Sequence, residues 1–202
     1  MSDIEQALKR AGSPRYEEES RHAATRLVER ATDHGLVDVA FATMESPVGP
    51  LMLAATQRGL VRMSFGHSLD PESFVASLTE VSLRVLEAPS YFDGIRNELI
   101  EYFEGRRTRF GLPLDWRLTG GFRRRVLEET ARIPYGNVST YSDVAEAAGS
   151  PRAFRAAGNA LGANPIPIVV PCHRVIRSGG DIGNYGGGPE IKRFLLELEG
   201  AI

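Results

Sequence analysis

The hydrophobic positions of this chain change their period from one region to the next. Residues 37–44, 51–56 and 60–65 are short apolar, alternating runs, separated by Ser46-Pro47-Val48-Gly49-Pro50 and Gln57-Arg58-Gly59. Such runs bounded by turn formers predict an antiparallel β-meander. Helical spacing takes over across 74–78 and, more clearly, at Ile95, Leu99, Tyr102 and Phe103, with Gly105 as a C-terminal stop. Residues 110–114 read as a returning strand, and Leu112-Pro113-Leu114-Asp115-Trp116 as a link. Beyond it, Thr119 is placed to cap a helix through Phe122, Val126 and Leu127 to Ile133, which Pro134-Tyr135-Gly136 stops. Ser139 or Thr140 opens a short helix over 141–148, Gly149-Ser150-Pro151 turns, and a second short helix covers 152–161. Pro189 starts the last helix, whose Ile191, Phe194, Leu195 and Leu198 are expected to face the core, with Glu199 one position on. Residues 1–36 are polar and charged, with one amphipathic stretch over 17–31 and a stop near Gly35.

One stretch fits none of these periods: Asn164-Pro165-Ile166-Pro167-Ile168-Val169-Val170-Pro171-Cys172-His173-Arg174-Val175. The β-branched run 166–170 between prolines predicts a buried strand that delivers Cys172 to a surface. A free cysteine most often packs as a small hydrophobe. A nucleophile needs a base or a positive neighbour, because a thiol of pKa about 8.5 is only a few per cent ionised at neutral pH. His173 and Arg174 are the adjacent candidates. In extended backbone Cys172 and His173 would point to opposite faces, so they need a local turn or a bridging water to communicate.

Two short helices around a glycine turn suggest a helix-turn-helix. The second is rich in small residues, Ala153, Ala156, Ala157, Gly158, Ala160 and Gly162, while Arg152 and Arg155 supply charge. A slim, basic surface permits close approach to a groove. Downstream, Ser178-Gly179-Gly180-Asp181 is a turn, and 183–188 is a glycine-rich loop able to line a pocket with backbone groups.

The chain has 202 residues, a length that suits two small domains. The expected fold class is α/β in the α+β sense. A polar, helical or partly disordered extension (1–36) precedes a scaffold domain with an antiparallel sheet and helices (37–115). A mostly helical domain (116–202) follows, with the helix-turn-helix and Cys172. The single cysteine excludes an internal disulfide and a multi-cysteine zinc site, and no metal or cofactor is expected. No apolar run is long enough for a membrane span and the first residues lack signal-peptide character, so a cytoplasmic protein is expected. Net charge is −2, but residues 120–177 carry eight arginines against four acids, a local +4 that leaves −6 on the remainder. A basic segment on an otherwise acidic chain is either a solvated face or an electrostatic footprint for nucleic acid, and here it includes the helix pair expected to bind DNA.

Pro171-Cys172-His173-Arg174-Val175, with Asn164-Pro165 upstream and Gly183-Asn184-Tyr185-Gly186-Gly187-Gly188 downstream, resembles the O6-alkylguanine-DNA alkyltransferases, or methylated-DNA–protein-cysteine methyltransferases. The resemblance is strongest over about the last eighty residues. Residues 37–115 look like the family's variable N-terminal domain, and 1–36 are not covered. It implies direct DNA repair: the alkyl group on O6 of guanine moves irreversibly to Cys172, once per molecule, with O4-alkylthymine left open as a second substrate. It further implies that His173 acts through a water and is oriented by Glu199. Tyr141 donates a proton toward the departing guanine, and Asn164 braces the turn before the active-site segment. Val175, Tyr185, Gly186 and Gly187 line the pocket. Arg155 fills the gap left by a flipped base, with Phe154, Arg152, Ala156, Gly158 and Arg174 as further DNA contacts. The expected partner is duplex DNA containing O6-alkylguanine, bound by a monomer with no obligate protein partner. The chain departs from the family at Leu127, usually tryptophan; at Gly186, where some relatives carry serine; and at Phe154, usually a small residue. Two rivals remain open, a lesion-recognition module without transfer and a cysteine hydrolase. An alkylated Cys172 argues against the first, and single-hit kinetics against the second.

Overall fold

The computed structural model describes Arg26, Arg30, Ala31 and residues 34–202. The amphipathic stretch over 17–31 lies almost wholly outside them. Among the described residues no helix is long and apolar enough to cross a membrane.

The meander forms as its alternation predicts: β1 (Val39–Met44), β2 (Leu51–Thr56) and β3 (Gly59–Phe65) pair antiparallel in sequence order. All six residues of β2 are buried because both faces of the sheet are covered. Met52 and Ala54 pack with Phe74 of helix α1 (Pro71–Ser77). Leu51, Leu53 and Ala55 face a larger core that runs on into the C-terminal helices. Asp70 caps α1 by accepting from the Ser73 amide at 2.9 Å, with a proline in the first turn. A fourth strand, β4 (Val85–Glu87), adds parallel to β1, giving the order β3-β2-β1-β4 and a mixed sheet. Three residues are too few to display alternation, so the sequence pattern did not predict it. Helix α2 (Asp93–Phe103) turns Leu99 and Tyr102 inward and ends just before Gly105.

Residues 110–114 do not form the expected strand. They run along the outer edge of β3 with one bridge, Leu60 to Leu114. The Leu60 amide donates to Pro113 O at 2.9 Å and the Asp115 amide to Leu60 O at 2.8 Å. Pro113 has no amide hydrogen, so no ladder propagates, yet the edge is covered. Buried Asp115 accepts from Thr56 Oγ1 at 2.6 Å and Arg117 Nε at 2.7 Å, fastening the link to the sheet.

Helix α3 (Gly121–Thr130) has Gly120 at its N-cap, not Thr119, whose hydroxyl instead donates to Trp116 O at 2.8 Å. The two-residue strand β5 (Ser139–Thr140) leads into helix α4 (Tyr141–Ala147), where Thr140 and Asp143 make a reciprocal capping box. Helix α5 (Phe154–Gly162) packs on α3 and α4. Strand β6 (Val175–Ile176) pairs parallel with β5, and α6 (Pro189–Leu198) closes the fold. Leu127 is completely buried, so the smaller side chain is absorbed into the core of this chain.

Gly59 sits at φ +129°, and a Cβ there would lie 2.0 Å from Pro113 O. Gly59→Ala is therefore expected to destabilise the protein by at least ~2 kcal/mol, read as a lower urea midpoint. Gly94→Ala, in the first turn of α2 with open space around it, is the control and should be neutral or mildly stabilising.

Candidate active site

The run 166–170 is not a strand. Pro165 and Pro167 lack amide hydrogens, so the segment cannot build a ladder, and it folds on itself in tight turns instead. The Val169 amide donates to Pro167 O at 2.9 Å, Val170 to Ile166 O at 2.9 Å and Cys172 to Val170 O at 2.8 Å. Ile168 is held at φ 71°, which costs a β-branched residue about 1–3 kcal/mol. Its complete burial, with that of Ile166 and Val170, offsets the strain. The apolar run was read correctly as buried and wrongly as extended. Asn164 closes the turns: its Oδ1 accepts from the Ile166 amide at 3.0 Å and its Nδ2 donates to Val170 O at 2.8 Å. The same Nδ2 donates to Cys172 Sγ at 3.1 Å, a contact beyond bracing.

Cys172 opens a single 3₁₀ turn (Cys172–Arg174), so the opposite-face geometry of a strand does not apply. Burial pushes the thiol pKa up, while the Asn164 hydrogen bond and the Lys192 charge pull the other way. His173 is completely buried, and its Nε2 lies 2.8 Å from Glu199 Oε1. Burial lowers the imidazole pKa against the opposing pull of Glu199. Because the carboxylate can only accept, Nε2 carries the proton and Nδ1 presents a lone pair. That Nδ1 is buried with no hydrogen-bond partner among the described residues.

Glu199 is not a solvated terminal charge. Its Oε1 accepts from Tyr102 Oη at 2.6 Å, His173 Nε2 at 2.8 Å and Arg174 NH2 at 3.0 Å. Its Oε2 accepts from Arg174 Nε at 2.7 Å and the Gly136 amide at 3.4 Å. Burial alone would raise its pKa, but the bonds from His173 and Arg174, the His173 charge and the Tyr102 bond lower it to about 2. This corrects the reading of Arg174 as a DNA contact. Its guanidinium is buried, spent on Glu199 and on Ile133 O at 2.5 Å, and lies 5.8 Å from the Tyr135 ring centre.

Two members of this group were missed in the sequence. Tyr102 reads there as one more apolar position of α2. Lys192 is completely buried, its Nζ donating to Val175 O at 2.6 Å, and burial brings its pKa down to about 8. The face of α6 that is most buried runs through Lys192, Leu195, Leu196 and Glu199, rotated from the expected one. Two charges recurring at helical spacing with two leucines was the available signal.

Cys172 borders a cavity of about 110 Å³ shared with Met63 and Phe65 of β3, Asn164, Pro167, Tyr185 and Gly186. The loop above it is pinned from the sheet side. Ser68 Oγ donates to Gly186 O at 3.1 Å, and His67 Nε2 lies 3.1 Å from Gly187 O. A Cβ on Gly187 would stand 2.9 Å from the Phe65 ring, so only glycine lets the loop close this far. Val175 is not in the cavity wall. It is fully buried in β6. A larger cavity of about 660 Å³ lies behind the relay, by Phe110, Ile133 and Arg174, and does not reach Cys172.

The remaining candidates lie on the α4–α5 pair. Arg152, Phe154, Arg155 and Ala156 are exposed, and the Arg155 guanidinium is 5.8 Å from the Phe154 ring centre. Ala157, Ala160 and Leu161 turn inward. Tyr141 is half-buried between this surface and the loop. A Cβ on Gly158 would be 3.7 Å from its ring, and one on Gly183 3.2 Å from its hydroxyl. Burial raises the Tyr141 pKa, which keeps it a proton donor at neutral pH.

A family described as 6-O-methylguanine DNA methyltransferase, DNA binding domain, matches residues 121–201, and its ribonuclease-like domain matches residues 39–116. A methylated-DNA–protein-cysteine methyltransferase of Methanosarcina barkeri is 38% identical over 156 residues, covering 77% of this chain and 94% of its own. The Mycobacterium tuberculosis H37Rv protein of the same name is 40% identical over 159 residues, covering 79% and 91%. The crystal structure of Mycobacterium tuberculosis OGT in complex with DNA matches with a TM-score of 0.70 at 39% identity, over 80% of this chain and 93% of that one.

The relay makes the fold acid-labile, with a definite sign. His173 has a lowered pKa, so below about 6.5 the unfolded imidazole takes up a proton that the folded one resists. Glu199 resists protonation down to about 2, whereas its ordinary value is 4.5. Both groups bind more protons unfolded, so the urea midpoint should fall steadily from pH 7 to pH 3. A midpoint flat over that range would contradict the burial of this pair.

Proposed function

We propose that this chain, which belongs to the 6-O-methylguanine DNA methyltransferase family, repairs alkylated DNA by moving the alkyl group from O6 of guanine onto Cys172 Sγ. One observation carries the reading. A single thiol borders a cavity while it accepts a hydrogen bond from Asn164 and adjoins a buried His173–Glu199 pair.

His173 Nδ1 takes the thiol proton through a water, Glu199 stabilises the imidazolium, and Asn164 Nδ2 donates to the developing thiolate. The sulfur attacks the alkyl carbon, an S–C bond forms and the O6–C bond breaks. The bonding pair leaves with guanine, and Tyr141 supplies the proton that makes it a better leaving group. The thioether is stable, so each molecule acts once. Tyr185 and Gly186 border the alkyl group.

A guanine inside a duplex cannot reach a buried thiol, so it is flipped out for a few kcal/mol of unstacking and unpairing. The exposed face of α5 carries this step: small residues allow close approach, Arg155 fills the vacated space, and Phe154 and Arg152 contact the flanking strand. A relative crystallised in complex with DNA, at a TM-score of 0.70, supports DNA binding by this chain. Residues 37–115 serve as scaffold and 116–202 as the transfer and DNA-binding domain. The groups named here all come from one chain, and a monomer is the working unit proposed.

Incubation with an O6-methylguanine duplex is expected to add one methyl group, mapped by mass spectrometry to Cys172. Cys172→Ser should take up none while still binding the duplex. Repeated turnover with an unmodified cysteine would overturn the reading.

Arg155→Ala should slow duplex repair by roughly one to two orders of magnitude, since each 1.4 kcal/mol is a factor of ten. Reaction with free O6-benzylguanine, which needs no extrusion, should hardly change. Equal losses on both substrates, or complete rescue of the duplex rate at low salt, would remove Arg155 from the flipping step.

A further inference from the structure

Tyr102 belongs to α2, in the part of the chain assigned above as scaffold, yet its buried hydroxyl donates to Glu199 Oε1 at 2.6 Å across a sequence separation of 97. The ring alone would be served by phenylalanine, since it packs against Phe103, Phe110 and Tyr135 with centres 5.4, 5.2 and 6.1 Å away. A hydroxyl in that surrounding is accounted for only by the carboxylate it meets.

We propose that Tyr102 is a positioning residue for alkyl transfer: by donating to the oxygen that also receives His173, it sets how strongly Glu199 supports the His173 imidazolium and so tunes the base facing Cys172. The inference rests on the alkyl-transfer reading of the site. Three donors converge on Oε1. Each withdraws negative charge from an oxygen with few lone-pair directions, so a strong phenol donor weakens the attraction between that oxygen and the imidazole N–H. Burial first, and the neighbouring carboxylate second, keep the phenol protonated far above neutral pH, so it never competes as an acid or base. Its aromatic neighbours hold it in place beforehand, so the donor needs no ordering when the reaction begins.

The other groups around the pair are Arg174 on the 172–174 turn, Tyr135 after α3, Lys192 on α6, Tyr185 on the loop and Cys172 itself. Arg177 and Asp181 act at one remove, through Lys192. All of them stay in place when only the Tyr102 hydroxyl is removed.

The test is the pH dependence of Cys172 alkylation by an O6-methylguanine duplex, measured on the full chain under single-turnover conditions. In Tyr102→Phe, Glu199 is left with more charge for His173, the imidazole becomes harder to deprotonate, and the midpoint of the acid limb should move up. A shift of about half to one pH unit makes transfer roughly three- to tenfold slower below the midpoint, with the plateau rate within about twofold of the parent. Replacing Tyr102 by 3-fluorotyrosine, a stronger donor with nearly the same shape, should move the midpoint down, and it decides the matter if Tyr102→Phe does not fold. Midpoints that coincide with the parent, or a loss of rate equal at every pH, would show Tyr102 to be packing alone. Absence of any transfer to Cys172 in the parent would instead sink the functional reading.

Discussion

Burying a carboxylate is among the most expensive things a fold can do, and the architecture around Cys172 follows from doing it at Glu199. An ion of this kind taken from water carries an effective penalty of several kcal/mol unless its lone pairs are satisfied. Here five donor contacts reach the two oxygens, one from α2, one from the turn before β5, and three from the Cys172–Arg174 turn. Elements far apart in sequence are thereby tied to one point at the end of α6. The same saturation holds Glu199 ionised at every pH where the protein would work, which leaves the neighbouring imidazole with one determined tautomer. The stability of the buried group and, on the proposed reading, its chemistry depend on the same five contacts.

A second constraint acts on the backbone. The thiol has to sit at the border of a cavity, yet the segment that carries it is apolar and punctuated by prolines. Asn164 resolves this with a single amide, whose oxygen and nitrogen close the turn while one remaining hydrogen reaches Cys172 Sγ. The strained Ile168 is tolerated because Ile166, Ile168 and Val170 are all driven into the core around it. A thiol placed by such a turn is more closely fixed than one at the end of a strand, where adjacent side chains diverge.

The N-terminal sheet takes part in the site as well as supporting it. The edge of β3 receives Pro165 O on the Met63 amide at 2.8 Å, and Met63 and Phe65 contribute to the cavity wall. His67 and Ser68 hold the glycine loop, and Tyr102 reaches the relay from α2. The space around Cys172 is built from both parts of the chain.

Much of this was legible in the amino-acid sequence because it depends on local rules. The β1–β3 meander, the Thr140 cap, the α4–α5 hairpin and the stop before Gly105 follow from period and capping chemistry, which neighbouring residues largely decide. The motif around Cys172 pointed to the family. What escaped was everything that depends on distant partners. Strand β4 exists only because β1 offers an edge, and the 166–170 run is a turn only because Asn164 satisfies groups that a ladder would otherwise pair. Arg174 changed from a surface charge to a buried one because Glu199 lies beside it, and Lys192 and Tyr102 gained their roles in the same way. Local propensity is written along the chain, whereas the cost of burying a charge is met by whatever residues the tertiary fold brings within three ångströms of it.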